Sequence, residues 1–131
     1  MRTEGGMSQD FIVSPEIKDA LASGAGVVAL ESSVIAHGLP SPVNRTAALE
    51  MELAVRSAGA VPATIAVMDG SVRIGLNASE IDRLSDGEGI GKAGARDIPF
   101  LVASNGTAGT TVSGTIRIAA LAGLRIAATG G

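Results

Sequence analysis

The sequence has no cysteine, tryptophan or tyrosine, only one histidine and only two phenylalanines. Without cysteine there is no disulfide, no thiolate metal site and no cysteine nucleophile. A single histidine, His37, excludes a His-rich metal site. Phe11 and Phe100 are too few for a base-stacking platform or a core of large rings. Charge of one sign is scarce as well. Ten Lys+Arg against 13 Asp+Glu give a net charge of −3, which lacks the clustered basic footprint of nucleic-acid binding. Long hydrophobic runs are missing. The longest, Gly26–Leu30 and Ala119–Leu124, fall well short of the ~20 residues a membrane span needs. The first ten residues carry Arg2, Glu4 and Asp10 and no apolar signal-peptide core. These absences point to the cytoplasm, with neither nucleic acid nor membrane as partner.

What is present is small and apolar. In 131 residues, one domain's worth at most, there are 22 alanines and 18 glycines beside many Val and Ile. Small side chains permit close helix–sheet packing but bury little area each. At roughly 25 cal/mol per Å² they make a thin source of stability. Such a composition suits part of a larger α/β protein.

Residues 1–13 read as an N-terminal tail and residues 14–131 as the organised part. Ser14-Pro15-Glu16 is a helix start, and Gly24 stops that helix after about Ser23. Val27–Leu30 is an apolar run suited to a buried strand. A Ser-, Gly- and Pro-rich loop follows from Ser32 to Asn44, and Asn44 caps a helix over Arg45–Ala58. The spacing of Leu49, Leu53 and Ala54 predicts its inward stripe, with Glu50, Glu52 and Arg56 in water. Ala63–Met68 and Ser71–Leu76 flank Asp69-Gly70, a two-residue hairpin turn. A short helix from Asn77 or Ser79 to about Leu84 precedes a Gly-rich loop, Gly87–Gly94. Phe100–Ala103 reads as a buried strand and Ser104–Gly109 as a turn. Thr111–Ala122 reads as a helix, and Leu124–Ala128 as a last strand. Alternation of helices with buried strands predicts an α/β fold, a mainly parallel sheet with one antiparallel hairpin.

Ligands of such sheets lie beyond the carboxyl ends of the strands. Glu31, Thr110-Thr111 and Thr129-Gly130-Gly131 are expected there. Glu31, at the end of a buried strand, loses hydration and is placed to serve as a general acid. Its alternative is a structural carboxylate accepting backbone N–H groups of the Ser32-Ser33 turn. His37 suits a proton carrier, a phosphate ligand or a hydrogen-bonded structural group. Lys92, among Gly87, Gly89, Gly91 and Gly94, suits an anionic substrate or plain solvation. Asn105–Val112 joins a strand to a helix and offers a phosphate cradle, though without the lysine of a Walker sequence.

The run Val28-Ala29-Leu30-Glu31-Ser32-Ser33-Val34-Ile35-Ala36-His37-Gly38-Leu39-Pro40 resembles the opening signature of the pseudouridine-5'-phosphate glycosidases, a family that includes indigoidine synthase A-like proteins. Gly59–Val67, Arg96-Asp97-Ile98-Pro99, Thr110-Thr111-Val112 and Ala127–Gly131 extend the resemblance in the family's order. It implies a three-layer α/β/α fold, here truncated to the family's N-terminal segment, and a homotrimeric, Mn2+-dependent enzyme. The reaction implied is reversible C–C glycosidic cleavage of pseudouridine 5'-phosphate to uracil and ribose 5-phosphate. Glu31 matches the family's acid, Lys92 a substrate-binding lysine and Val112 a substrate-contacting position. Thr110, Thr111 and His37 are grouped with them as substrate-binding candidates. A C-glycoside has no heteroatom leaving group, and the family meets this with a Schiff-base lysine. That lysine and the metal-binding aspartate match no residue here, so the chain alone is expected to be inactive. Two other readings remain open: a non-catalytic sugar-phosphate or nucleotide-binding module, and a non-functional truncated remnant.

Overall fold

The computed structural model describes residues 11–130. Ser14 Oγ accepts the Ile17 N–H at 3.2 Å, and Pro15 occupies the first turn of α1 (Pro15–Ser23). Gly24 closes the helix in the left-handed region, with φ 78°. These are the local signals read from sequence. Ahead of them Phe11–Val13, read as tail, forms strand β1. After α1 come β2 (Val27–Leu30), a π-helical turn (Val34–Gly38), α2 (Val43–Ser57), β3 (Val61–Met68) and β4 (Ser71–Ile74). Then follow α3 (Ala78–Asp86), β5 (Gly91–Ala93), a 3-10 turn (Ala95–Asp97), α4 (Ile98–Ala103), β6 (Ala108–Thr110), α5 (Val112–Ala122) and β7 (Ile126–Ala128). The β3–β4 turn has Asp69 and Gly70 both at positive φ, 52° and 79°, as a tight hairpin demands.

The strand order β1-β4-β3-β2-β7 is parallel except for β3 with β4. A second antiparallel pairing, absent from the sequence reading, joins β6 to the far half of β3, and β5 pairs parallel to β6. Successive side chains of β3 point to opposite faces. Ala63, Ile65 and Val67 enter one core with Ile17, Val72 and Ile118. Ala66 and Met68 enter another with Ile35, Ala48, Ile81 and Leu84. Helices α1 and α5 thus cover one face and α2 and α3 the other, which is the three-layer α/β/α arrangement.

Several sequence expectations fail. Phe100–Ala103 lies in helix α4 rather than a strand, and Phe100 is 71% exposed. Pro99 in its first turn favours the helix, which continues from the 3-10 turn capped by Asp97 Oδ2 on the Gly94 N–H at 2.9 Å, and a short apolar run does not by itself choose strand. Helix α2 turns a different face inward. Leu49 and Leu53 are exposed, while Asn44 and Ala48 are buried. Small Ala48 lets the helix lie close to the sheet. Asn44 does not cap but lies one residue inside, its Nδ2 donating to the carbonyls of Ile35 and Ser85, both at 2.9 Å. Glu52, expected in water, is half-buried, accepting the Thr64 hydroxyl at 2.6 Å. The last strand is shorter than expected, Ile126–Ala128, and all three of its residues are exposed.

Candidate active site

Strand β3 is eight residues long, and two strands share one of its edges. Its first half pairs with β2, Leu30 opposite Thr64. Its second half pairs with β6, Ala66 opposite Gly109. The opposite edge is taken by β4 and by the Gly75 and Leu76 N–H groups on the Thr64 carbonyl. Because β6 runs antiparallel to β3, the carboxyl ends of β2 and β6 meet midway along that edge. Strand β5 is parallel to β6 and β7 is parallel to β2, so four strands end at this fork. Switch points of this kind are where open α/β sheets bind ligands.

Glu31 is the first residue beyond β2 and stands at the fork. Its Oε2 accepts the Ser33 hydroxyl at 3.3 Å and its Oε1 accepts the Thr129 hydroxyl. The alternative with backbone donors is therefore replaced by two side-chain hydroxyls, one from beyond the far end of the chain's last strand. On one side of Glu31 a cleft of about 520 Å³ is lined by Leu30, Val34, Met51, Val55, Ala128 and Thr129. On the other a hollow of about 50 Å³ is lined by Val112, Thr115 and Ile116. A half-buried carboxylate between two largely apolar hollows is placed to reach a group bound in either.

The other candidates fall into two sets. Lys92 is exposed on β5. The carbonyl of Gly91 before it is bonded to His37 Nε2 at 2.9 Å, and that of Ala93 after it accepts the Thr111 N–H at 3.0 Å. His37 and Thr111 are thus tied to the backbone carbonyls on either side of Lys92. His37 makes the structural hydrogen bond that was one of its readings. Thr111 caps α5, its Oγ1 accepting the Gly114 N–H at 3.3 Å, and Val112 reaches the small hollow beside Glu31. Thr110 departs from the expectation of substrate contact. It is fully buried, and its hydroxyl is engaged inside by the Ile65 carbonyl and Thr115. The side chains of Ser32 and Thr115 were not singled out in the sequence, because their hydroxyls meet that of Thr110 only in the fold.

Elsewhere, burial holds the Glu52 carboxyl above the usual range, against the opposing pull of the Thr64 hydroxyl and Arg56. Among the described residues no three His, Asp or Glu side chains come together to hold a metal ion. The described residues do not by themselves fit the manganese that the resemblance implies. No helix among them is long and apolar enough to cross a membrane.

Residues 16–131 match the family described as indigoidine synthase A like protein. This chain belongs to that family. A pseudouridine-5'-phosphate glycosidase of Nocardioides sp. is 51% identical over 119 residues, 91% of this chain and 39% of that protein. The glycosidase of the same name from Escherichia coli is 48% identical over 120 residues, 91% of this chain and 38% of its own length. Among solved structures, the prealnumycin C-glycosynthase AlnA in complex with ribulose 5-phosphate superposes with a TM-score of 0.82 at 48% identity, covering 94% of this chain and 39% of that one. An indigoidine synthase A-like protein of Thermotoga maritima gives 0.81 at 30% identity, covering 92% and 39%. This indigoidine synthase A-like chain therefore spans about two fifths of the length of the relatives it matches.

Proposed function

We propose that this chain carries the acid-bearing part of a pseudouridine-5'-phosphate glycosidase, a cytoplasmic enzyme of nucleotide metabolism working as a homotrimer. The observation that carries the reading is Glu31 at the fork, held by two hydroxyls between two hollows. Half-identical relatives bearing that name support it, as does a structural neighbour with ribulose 5-phosphate bound. Cleaving the C–C glycosidic bond with water gives uracil and ribose 5-phosphate, and the ring carbon that leaves the sugar must gain a proton. Glu31 donates that proton. Lys92 attracts the phosphate, with Thr111 and the helix start beside it, and Val112 packs against the substrate. His37 holds the Gly91 carbonyl and so the strand that bears Lys92. The lysine that forms the Schiff base and the aspartate for Mn2+ come from the length of the relatives that this chain does not span.

The test is a chimera in which this chain replaces the matching 119-residue segment of the Nocardioides relative. Uracil release from pseudouridine 5'-phosphate is expected from the chimera and not from the chain alone. The reading is overturned by a chimera that turns over equally well with Glu31→Gln.

A further inference from the structure

We infer that Ser32, Thr110 and Thr115 are positioning residues, a buried knot of hydroxyls that fixes the Glu31 carboxylate relative to the start of α5. The inference rests on Glu31 as the proton donor. All three side chains are buried, at 0%, 0% and 2% exposure, so Ser32 and Thr110 touch no substrate and Thr115 reaches only the floor of the small hollow beside Glu31. Their bonds replace the sheet ladder where it breaks. The Ser32 N–H donates to the Thr110 carbonyl at 3.1 Å, and the Thr110 N–H donates to Ser32 Oγ at 2.8 Å. Both hydroxyls then donate to one acceptor, the Ile65 carbonyl of β3, at 2.5 and 2.8 Å. With the Thr110 proton so engaged, the Thr115 hydroxyl donates to Thr110 Oγ1 at 2.8 Å.

The knot therefore locks three elements: the chain leaving β2, the end of β6 and the first turn of α5. Gly109 allows the close approach, because a Cβ there would lie 2.7 Å from the Ser32 carbonyl oxygen. Glu31 is held from both sides, by Leu30 in the β2–β3 ladder and by Ser32 in the knot. Thr115 also lines the small hollow that Glu31 and Val112 share. Loss of the Ser32 or the Thr110 hydroxyl leaves a buried donor unpaired, the Thr110 N–H or the Thr115 hydroxyl, and frees the fork to relax. A carboxylate that shifts by about an ångström loses on the order of 10²-fold in rate through misalignment alone.

The experiment uses the chimera with Ser32→Ala, Thr110→Val and Thr115→Val, and with Thr110→Ser to keep the hydroxyl. The readouts are kcat and KM for pseudouridine 5'-phosphate. Each apolar variant is expected to lower kcat by about 10- to 100-fold, with KM nearly unchanged, and Thr110→Ser to retain near-parental kcat. Added to Glu31→Gln, Ser32→Ala is expected to have little further effect, because the two act on one step. Thr115→Val lies at the far end of the knot and decides the matter should Ser32→Ala not fold. Parental kcat in Thr115→Val or Ser32→Ala, while Glu31→Gln is inactive, overturns the positioning role and leaves the proton donor standing. Parental turnover in Glu31→Gln overturns both.

Discussion

Glu31 and Glu52 are both half-buried carboxylates near the middle of the sheet, yet their surroundings give them different work. Glu31 looks into two hollows and is held by the hydroxyls of Ser33 and Thr129. Glu52 packs against β3, bonds Thr64 and lines a separate hollow of about 150 Å³ with Glu16, Arg56 and Pro62. In the chimera Glu31→Gln is expected to lower kcat by about 10²–10⁴-fold, the usual span for a general acid. Its stability is expected to stay within about 0.5 kcal/mol, since Gln keeps the shape. Steady-state kinetics with denaturant unfolding check both. For Glu52 the folded state holds its proton more tightly than the unfolded one, because burial raises its pKa above 4.5. Stability therefore falls as pH rises from 4.5 through the raised value. Glu52→Gln is expected to remove that slope and to be at least as stable at pH 7. The difference in unfolding free energy between parent and variant across pH 4.5–7 measures it. Glu16 and Asp69, lowered by Arg56 and Arg83, act in the opposite sense and at lower pH: their contribution is lost as pH falls through the lowered values. Both pairs are exposed, so that contribution is small.

At the scale of elements, the start of α5 is where packing overrides propensity. Gly114 lies in the helix, where alanine would gain about 1 kcal/mol of intrinsic helix stability. A Cβ at that position would be driven into the Ala93 carbonyl oxygen at the end of β5. That carbonyl also accepts the Thr111 N–H, so it cannot retreat without breaking the cap region. Gly114→Ala is expected to destabilise by about 1–3 kcal/mol, the cost of overpacking, and to raise KM by moving Lys92 and Thr111 apart. Denaturation midpoints and kinetics test it together. Helix α3 is the contrasting case, since its stability at the start is local. Asn77 Oδ1 accepts the Glu80 N–H and Glu80 Oε1 accepts the Asn77 N–H, at 2.8 and 2.9 Å, forming a capping box.

For the molecule as a whole, the telling feature is the outer edge beyond β2. At the opposite end of the sheet β1 has only Ile12 exposed, whereas every residue of β7 is exposed. Ile126 is 57% exposed, and Ile116 of the neighbouring α5 is 53% exposed. An apolar strand with free N–H and C=O groups is a template for pairing with another chain. The isolated chain is therefore expected to self-associate or to unfold without a sharp transition, and Ile126→Lys to reduce the association. Size-exclusion chromatography with chemical denaturation decides; a sharp, cooperatively unfolding monomer would contradict it.

Much of the fold was legible because its signals are local. Ser14-Pro15, Gly24 and Asp69-Gly70 act through bonds between residues two to four apart, and each is where the sequence placed it. Glu31 was legible too, as a carboxylate closing an apolar run. Its convergence with Thr110-Thr111 and Thr129 at the strand ends was legible from the alternation of elements, but the individual bonds and the knot were not, because Ser32 and Thr110 are 78 residues apart and Glu31 and Thr129 are 98 apart. Nothing in either stretch says which strand takes which half of the β3 edge. The inward face of α2 was misread for the same reason: an apolar stripe ranks leucines above Asn44 and Ala48, whereas the sheet selects side chains that fit its surface and satisfy its carbonyls. Sequence by itself determined the locally signalled helix ends, the hairpin and the place of Glu31 at the end of β2. Tertiary structure alone decided the fork, because the fork exists only where β2 and β6 compete for one edge of β3.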